Sequence, residues 1–237
     1  MKIHRWLAPV VAVCFCLASA QTAPQAVDVS AEPHHHLVLE NRYVRVFRVE
    51  VPPNTATGLH RHSNDYVFVT LGASQVSNEV EGKAPVKLQL ADGEARYTEG
   101  GFAHVARNLA STPFRNVTVE ILSAAKRRAA AQKPAPGWER GVELFEGGSV
   151  DTIVVRGGLR VTETELKPGA ALARHRHAGP HLAIAISDFD LRSEAPGQPA
   201  QVIRKKAGDS DWVSAGVTHT LTNVGSNTAR FLSIEFR

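Results

Sequence analysis

Seven histidines in this 237-residue chain stand at spacings that suit a metal cation. His60 and His62 form one His-x-His pair, His175 and His177 another, and a further histidine, His104 or His219, follows forty-four residues after the first member of each pair. On a strand, residues i and i+2 point to one face, so each pair sets two imidazoles side by side; the third must come from another strand. Neutral imidazole is the commonest ligand for Zn, Fe, Cu and Ni. His181 is the candidate fourth ligand of the second set. Asp65, close to the first pair, is the candidate acid–base residue, because a reaction that moves a proton needs a base within reach of its substrate. Arg61 and Arg176 lie inside the pairs, and strand alternation turns them away from the cation. The tract His34-His35-His36 precedes the first expected strand and is given no specific role.

The elements that must position these residues repeat. A shift of 115 residues places Arg45-Val46 on Arg160-Val161, Glu50 on Glu165, Pro53 on Pro168 and His60-Arg61-His62 on His175-Arg176-His177. The same shift carries Gly93, Gly101, His104, Asn108, Arg115 and Glu120 onto Gly208, Gly216, His219, Asn223, Arg230 and Glu235, with no gap. Chance does not supply so many identities in one register, and duplication does. Within each copy, alternating or β-branched runs such as Tyr43 to Val49, Tyr66 to Leu71 and Phe114 to Leu122, with counterparts in the second copy, read as short strands. Gly, Pro, Asn and Asp punctuate them. Gly101 and Gly216 read as turn residues, and Asn108 and Asn223 as backbone-binding ones. Ser123 to Arg140, rich in Ala, Lys, Arg and Pro, reads as a joining segment with a solvated Lys126-Arg127-Arg128 run and room for a short helical turn.

Lys2 and Arg5, then an apolar stretch to Ala18, then Ala18-Ser19-Ala20, have the form of a signal peptide cleaved after Ala20; about a dozen apolar residues are too few for the roughly 20 that span a bilayer. The expected location is secreted or periplasmic, with no membrane contact after cleavage. Both cysteines, Cys14 and Cys16, fall in the removed part, so the mature chain enters an oxidising compartment without disulfides and depends on packed cores and on metal. Loss of Lys2 and Arg5 leaves 25 basic against 23 acidic residues, a near balance that argues against a nucleic-acid partner.

In the second copy, Gly169, five residues, His175-x-His177, three residues and His181 resemble the first cupin motif, with His181 where that family usually has Glu. Gly208, five residues and Ser214-x-Gly216-x-x-His219-x-x-x-Asn223 resemble the second motif, with Ser214 in place of Pro. The first copy has Asn54 for the motif's Gly and Tyr66 at the Glu position, and keeps Gly93, five residues and Glu99-x-Gly101-x-x-His104-x-x-x-Asn108. The resemblance implies an all-β chain of two tandem cupin-type antiparallel β-barrels, or jelly rolls. The expected organisation is a signal peptide over 1–20, an N-terminal extension over 21–36, a first barrel over 37–122, a linker over 123–141 and a second barrel over 142–237. It implies a divalent transition metal (Fe, Mn, Zn, Ni or Cu) held by these histidines, and a small-molecule ligand or substrate; assembly into a homo-oligomer is left open. Cupins include dioxygenases, decarboxylases, isomerases and lyases as well as binding and storage proteins, so the fold does not name the reaction. An all-imidazole set leaves the cation's charge uncompensated and favours a carboxylate, enol or diol. The missing Glu argues against carrying over oxalate decarboxylase or flavonol dioxygenase activity. Two readings stay open: a metal-dependent oxidoreductase or lyase, and a non-catalytic exported binding protein with structural metal.

Overall fold

The computed structural model describes residues 25–237; the expected signal peptide lies outside the described residues. The first half runs β1 (Val27–Asp28), β2 (His35–Glu40), β3 (Val44–Val51), β4 (His60–His62), β5 (Asp65–Thr70), β6 (Ser74–Val80), β7 (Val86–Leu90), β8 (Ala95–Thr98), β9 (Phe102–Asn108) and β10 (Phe114–Ile121). A helix, α1 (Ser123–Ala130), leads to β11 (Gly141–Phe145), β12 (Gly148–Arg156), β13 (Leu159–Leu166), β14 (Ala171–Arg176), β15 (His181–Ala185), β16 (Phe189–Glu194), β17 (Gln201–Lys205), β18 (Ser210–Val213), β19 (Thr218–Asn223) and β20 (Ala229–Phe236). Strands β3, β7, β8 and β10 each begin 115 residues before β13, β17, β18 and β20, so the repeat seen in the sequence is a repeat of strands.

Each half is a pair of sheets rather than a closed ring of strands. The first has the orders β1-β4-β9-β6-β7 and β2-β3-β10-β5-β8; the second has β11-β12-β13-β20-β15-β18 and β14-β19-β16-β17. All pairings are antiparallel except β1 with β4, which is parallel. Residues 27–36, expected as an extension, therefore belong to the first sandwich: β1 edges one sheet and His35 opens the edge strand of the other.

The alternation within β3 shows how one strand serves two cores. Phe47, Val49 and Val51 face inward and pack with Val76, Leu90 and Phe114 between the two sheets of the first half. Val44 and Val46 face outward into a second core, where Val117, Val119 and Ile121 of β10 meet Leu159 and Val161 of β13 and Leu232, Ile234 and Phe236 of β20. Both faces of these strands are buried, so the two sandwiches lie back to back. Tyr43 stacks on Trp212 at 5.0 Å, and Arg48–Asp209 at 3.0 Å and Arg230–Asp92 at 2.9 Å tie the rim of the contact.

Two expectations about the joining segment are corrected here. α1 is more than a turn: Ala125 and Ala129, four apart and so on one helical face, are buried in the shared core. Lys126 is not simply solvated, because its Nζ lies 2.7 Å from an Asp65 carboxylate oxygen. Asn108 and Asn223 act on backbone, as their turn-like context suggests: Asn108 donates to the carbonyls of Val51 at 3.0 Å and Thr112 at 2.8 Å, and Asn223 donates to those of Leu166 and Asn227, both at 2.8 Å.

One core shared by both halves makes them a single folding unit. Ile234→Ala, which hollows that core, should cost about 2–5 kcal/mol, and calorimetry should show one transition moving down as a whole. Two resolved transitions, with only one displaced, would contradict a shared core.

Candidate metal centres

The short strand β4 and the start of β9 pair antiparallel, with His60 opposite His104. In the second half β14 and β19 place His175 opposite His219 by the same pairing. Gly101, at a φ of 93° that favours glycine, donates its N–H to the His62 carbonyl at 2.7 Å and so fixes β4 against the turn that leads into β9. Alternation then does what the spacing requires. His60 and His62 turn inward, while Arg61 is exposed and lies 3.7 Å from Glu81.

The imidazole sets are near copies of each other. Ring centroids are 5.1 Å apart for His60 and His62 and 5.1 Å for His175 and His177; they are 4.5 Å for His60 and His104 and 4.6 Å for His175 and His219. His60 and His104 bring their Nε2 atoms to 3.0 Å, and so do His175 and His219. In the first set the other ring nitrogens are committed. His60 Nδ1 donates to the Gly58 carbonyl at 2.9 Å, and His104 Nδ1 donates to Asn78 Oδ1 at 2.6 Å. Both Nε2 atoms therefore present lone pairs to each other, and a cation between them relieves the repulsion. A separation of 3.0 Å is what two adjacent ligands adopt when each lies about 2.0–2.1 Å from one cation. In the second half His175 Nδ1 donates to the Ala173 carbonyl at 2.9 Å, and His219 Nδ1 lies 3.2 Å from the Ser193 hydroxyl, which can donate or accept. His62 Nδ1 and His177 Nδ1 are buried without a hydrogen-bond partner. The residues present thus fit a divalent cation at each centre.

The fourth position differs between the halves. His181 faces the second cavity but stacks flat on His177, with centroids 3.7 Å apart, and lies outside the trio His175, His177 and His219 whose nitrogens fall within 4.8 Å of one another. Tyr66 holds the corresponding place in the first half and stacks on His62 at 4.2 Å. The first half has instead a histidine that the sequence reading passed over. His35 is buried, 4.7 Å from the His60 ring, and forms a compact trio of nitrogens with His60 and His62. Its Nδ1 lies 2.6 Å from Glu32, a buried carboxylate that also bonds His34 Nδ1 at 2.8 Å and the Gly58 N–H at 3.1 Å. A carboxylate behind a histidine fixes tautomer and ring orientation. Val150 occupies the corresponding place in the second half, so no repeat signal marks His35.

Asp65 is not part of either centre, which corrects the acid–base expectation. It is the outward neighbour of inward-facing Tyr66, and its carboxylate is engaged by the Tyr97 hydroxyl, the Gly100 N–H at 3.1 Å and Lys126. Burial would raise its pKa, but Lys126, Tyr97 and the Gly100 N–H together hold it below the ordinary range. Two other carboxylates come closer to the sets. Glu235 bonds Arg160 at 2.7 Å and the Gly179 N–H at 3.1 Å, and stands 3.7 Å from His177 Nδ1; burial opposes its charge, yet His177 and Arg160 lower it to about 2. Glu120, its counterpart, lies 3.2 Å from Arg45, and there burial prevails and raises the carboxyl. Both Arg–Glu pairs were visible as identities in the repeat register.

Burial is the main force on the imidazoles. It lowers His60 and His219 to about 4, His104 and His181 to about 3 and His62 to about 2, with neighbouring histidines adding to the effect. The centres also differ in access. The first encloses about 80 Å³, with His60 and His62 no more than 2% exposed; the second opens on a cavity of about 260 Å³.

No family model matches the chain. It is 30% identical over 79 residues to the beta-alanine degradation protein BauB of Pseudomonas aeruginosa, a match that spans 32% of this chain and 80% of that one. Its fold is similar to that of Bacillus subtilis oxalate decarboxylase in a structure concerned with that enzyme's Mn(II) centres, with a TM-score of 0.59 at 15% identity over 92% of this chain and 78% of that one. A cupin 2 conserved barrel domain protein from Leptotrichia buccalis gives a TM-score of 0.54 at 13% identity, over 86% and 88%. The chain thus has a cupin-like fold, with its two sandwiches in a bicupin-like arrangement.

Two predictions follow from this geometry. In the metal-free protein the unfolded chain takes up protons near pH 6.5, whereas the buried imidazoles do not until about pH 4 or below. The unfolded state therefore binds more protons in that window, and stability falls as pH drops from about 6.5 towards 4. Thermal melts of chelator-treated protein should show this decline, and a flat profile would contradict it. Glu32→Ala, which frees His35, should weaken metal at the first centre by about 10–100-fold and leave the second unchanged in a competitive chelator titration.

Proposed function

We propose that this chain is an exported metal-binding bicupin in which the second half is the reacting unit, a metal-dependent oxidoreductase or lyase acting on a small oxygen-bearing molecule, while the first half holds its metal for structure. The observation that carries the reading is the paired geometry: His60 with His104 and His175 with His219 oppose their Nε2 atoms at the same 3.0 Å. Support for a division of labour comes from access. A structural centre is closed by protein ligands and a catalytic one keeps a position open. The first centre is ringed by buried His35, His60, His62 and His104 beside a small space, whereas His175 and His219 are only half-buried and face the larger cavity.

A divalent cation in the second half would polarise a ligand oxygen as a Lewis acid. The chain's own residues hold and shield that position. Burial keeps His175 and His219 neutral, and so available as ligands, at ordinary pH, and keeps His181 beside them uncharged. Glu235, itself held by Arg160 and the Gly179 N–H, places its charge 3.7 Å from His177 Nδ1. The flat stack of His181 on His177 restricts rotation of both rings. Leu172, Leu191 and Leu221 wall the cavity and limit water beside the imidazoles. Export rests on the charged, apolar and small-x-small pattern of residues 1–20. The neighbouring reading, a non-catalytic binder, is favoured by the deep burial of the first-half imidazoles; it differs in expecting no turnover from the second.

Metal analysis of the mature protein purified without an added tag decides between these. The wild type should hold about two equivalents, and His62→Ala and His177→Ala should each lose about one. Under a panel of small carboxylates, diols and phenols, activity should vanish in His177→Ala and survive in His62→Ala at temperatures where that variant stays folded. Unchanged metal content in both variants would remove the metalloprotein reading. Full metal with no turnover would leave the binding protein.

A further inference from the structure

The two halves align position for position, so the larger cavity can be traced to particular residues. Phe47, fully buried behind His35, corresponds to Thr162, and Phe68, which lines the first cavity, corresponds to Ala183. Val49 corresponds to Thr164, and His35 itself to Val150. All four second-half residues line the cavity beside His175, His177, His181 and His219. Two phenylalanine rings and an imidazole have in effect been exchanged for open volume. The first space, about 80 Å³, has room for two or three waters at roughly 30 Å³ each. The second, about 260 Å³, is just under the roughly 300 Å³ at which sites for drug-sized ligands begin.

The chemistry of the walls is as uneven as the volume. Away from the imidazoles the apolar wall is Leu172, Phe189, Leu191, Ile203, Leu221 and Phe231, with hydroxyls from Thr162, Thr164 and Ser233 and carboxylates from Glu143, Asp209 and Asp211. Its two lining cations are both committed: Arg160 to Glu235 at 2.7 Å and Lys205 to Asp211 at 2.5 Å. A ligand with one anionic or enolic head at the imidazoles has a match for that head. A second carboxylate would have to lie among leucines and phenylalanines with no free counter-charge, which is costly.

Resting on the reading of the second half as the open metal centre, we infer that its cavity takes a small molecule with one oxygen-bearing anionic head and an apolar body about the size of a single ring, admitted by Thr162 and Ala183. A compact dicarboxylate does not fit this description, and the corresponding phenylalanines exclude any such ligand from the first half.

The test uses the mature full chain loaded with zinc and titrated calorimetrically with benzoate, acetate and oxalate. Acetate shares the head without the body, and oxalate carries two heads. Benzoate should bind at least about tenfold more tightly than either. The double variant Thr162→Phe/Ala183→Phe installs what the first half already accommodates; it should keep the wild-type zinc content and lose benzoate affinity by at least about tenfold. Equal or tighter binding of oxalate or acetate by the wild type, which needs no variant to fold, would overturn the inference, as would benzoate affinity unchanged in the variant. Absence of zinc from the wild-type second centre, shown by no difference from His177→Ala, would refute the metal reading and the pocket with it. Zinc retained without benzoate binding would refute the pocket alone.

Discussion

The protein twice brings two histidine Nε2 atoms to 3.0 Å, and in the first half their lone pairs face and repel each other. Backbone carbonyls at Gly58 and Ala173 and the side chain of Asn78 hold the far side of the rings, so the opposition is imposed by the scaffold rather than by chance rotamers. The antiparallel pairing of β4 with β9 and of β14 with β19 sets the distance, and the glycine turn before His104 sets the register. Strand order, burial and hydrogen bonding around the centres are organised so that two imidazoles can face one point in a dry interior. A cation is the species that makes such an arrangement favourable.

The scaffold that bears this strain is itself a product of duplication. Each sandwich has an apolar outer face that would be exposed if it stood alone, and the two outer faces cover each other. The joining segment contributes Ala125 and Ala129 to the same core, and its Lys126 neutralises Asp65 at the margin. Stability and the geometry of the centres are thus linked: β3 and β10 line the first cavity with one face and the shared core with the other, as β13 and β20 do in the second half.

Once duplicated, the copies diverged around a retained core of ligands. The Arg45–Glu120 and Arg160–Glu235 pairs persist, yet their carboxylates are driven in opposite directions, because Glu235 has His177 as well as Arg160 beside it whereas burial dominates at Glu120. The first copy has His35 where the second has Val150, with Glu32 behind it, and bulky Phe47 and Phe68. The second has His181 over His177 and small residues at the positions of those rings. Similar imidazole sets therefore sit in a filled space and in an open one.

The sequence by itself determined the duplication, the strand positions and the pairing of each His-x-His with a later histidine, because these rest on local periodicity and on a fixed 115-residue register that packing does not alter. It determined also that Arg61 turns outward and that Asn108 and Asn223 serve backbone. What only the tertiary structure decided were the relations that cross between elements. His35 lies in a three-histidine tract with no periodic signature, and it joins the first set because the edge strand β2 folds over β3 and brings it against His60. Asp65, one residue from a motif position, is lost to the set because a one-residue step on a strand reverses the face. The joining helix reads as a solvated spacer until both outer sheet faces are present to bury its alanines. The size of each cavity was written in the aligned pairs Phe47 with Thr162 and Phe68 with Ala183, but their meaning depends on knowing that those positions face inward beside the imidazoles, which is a property of the packed sheets and not of the local chain.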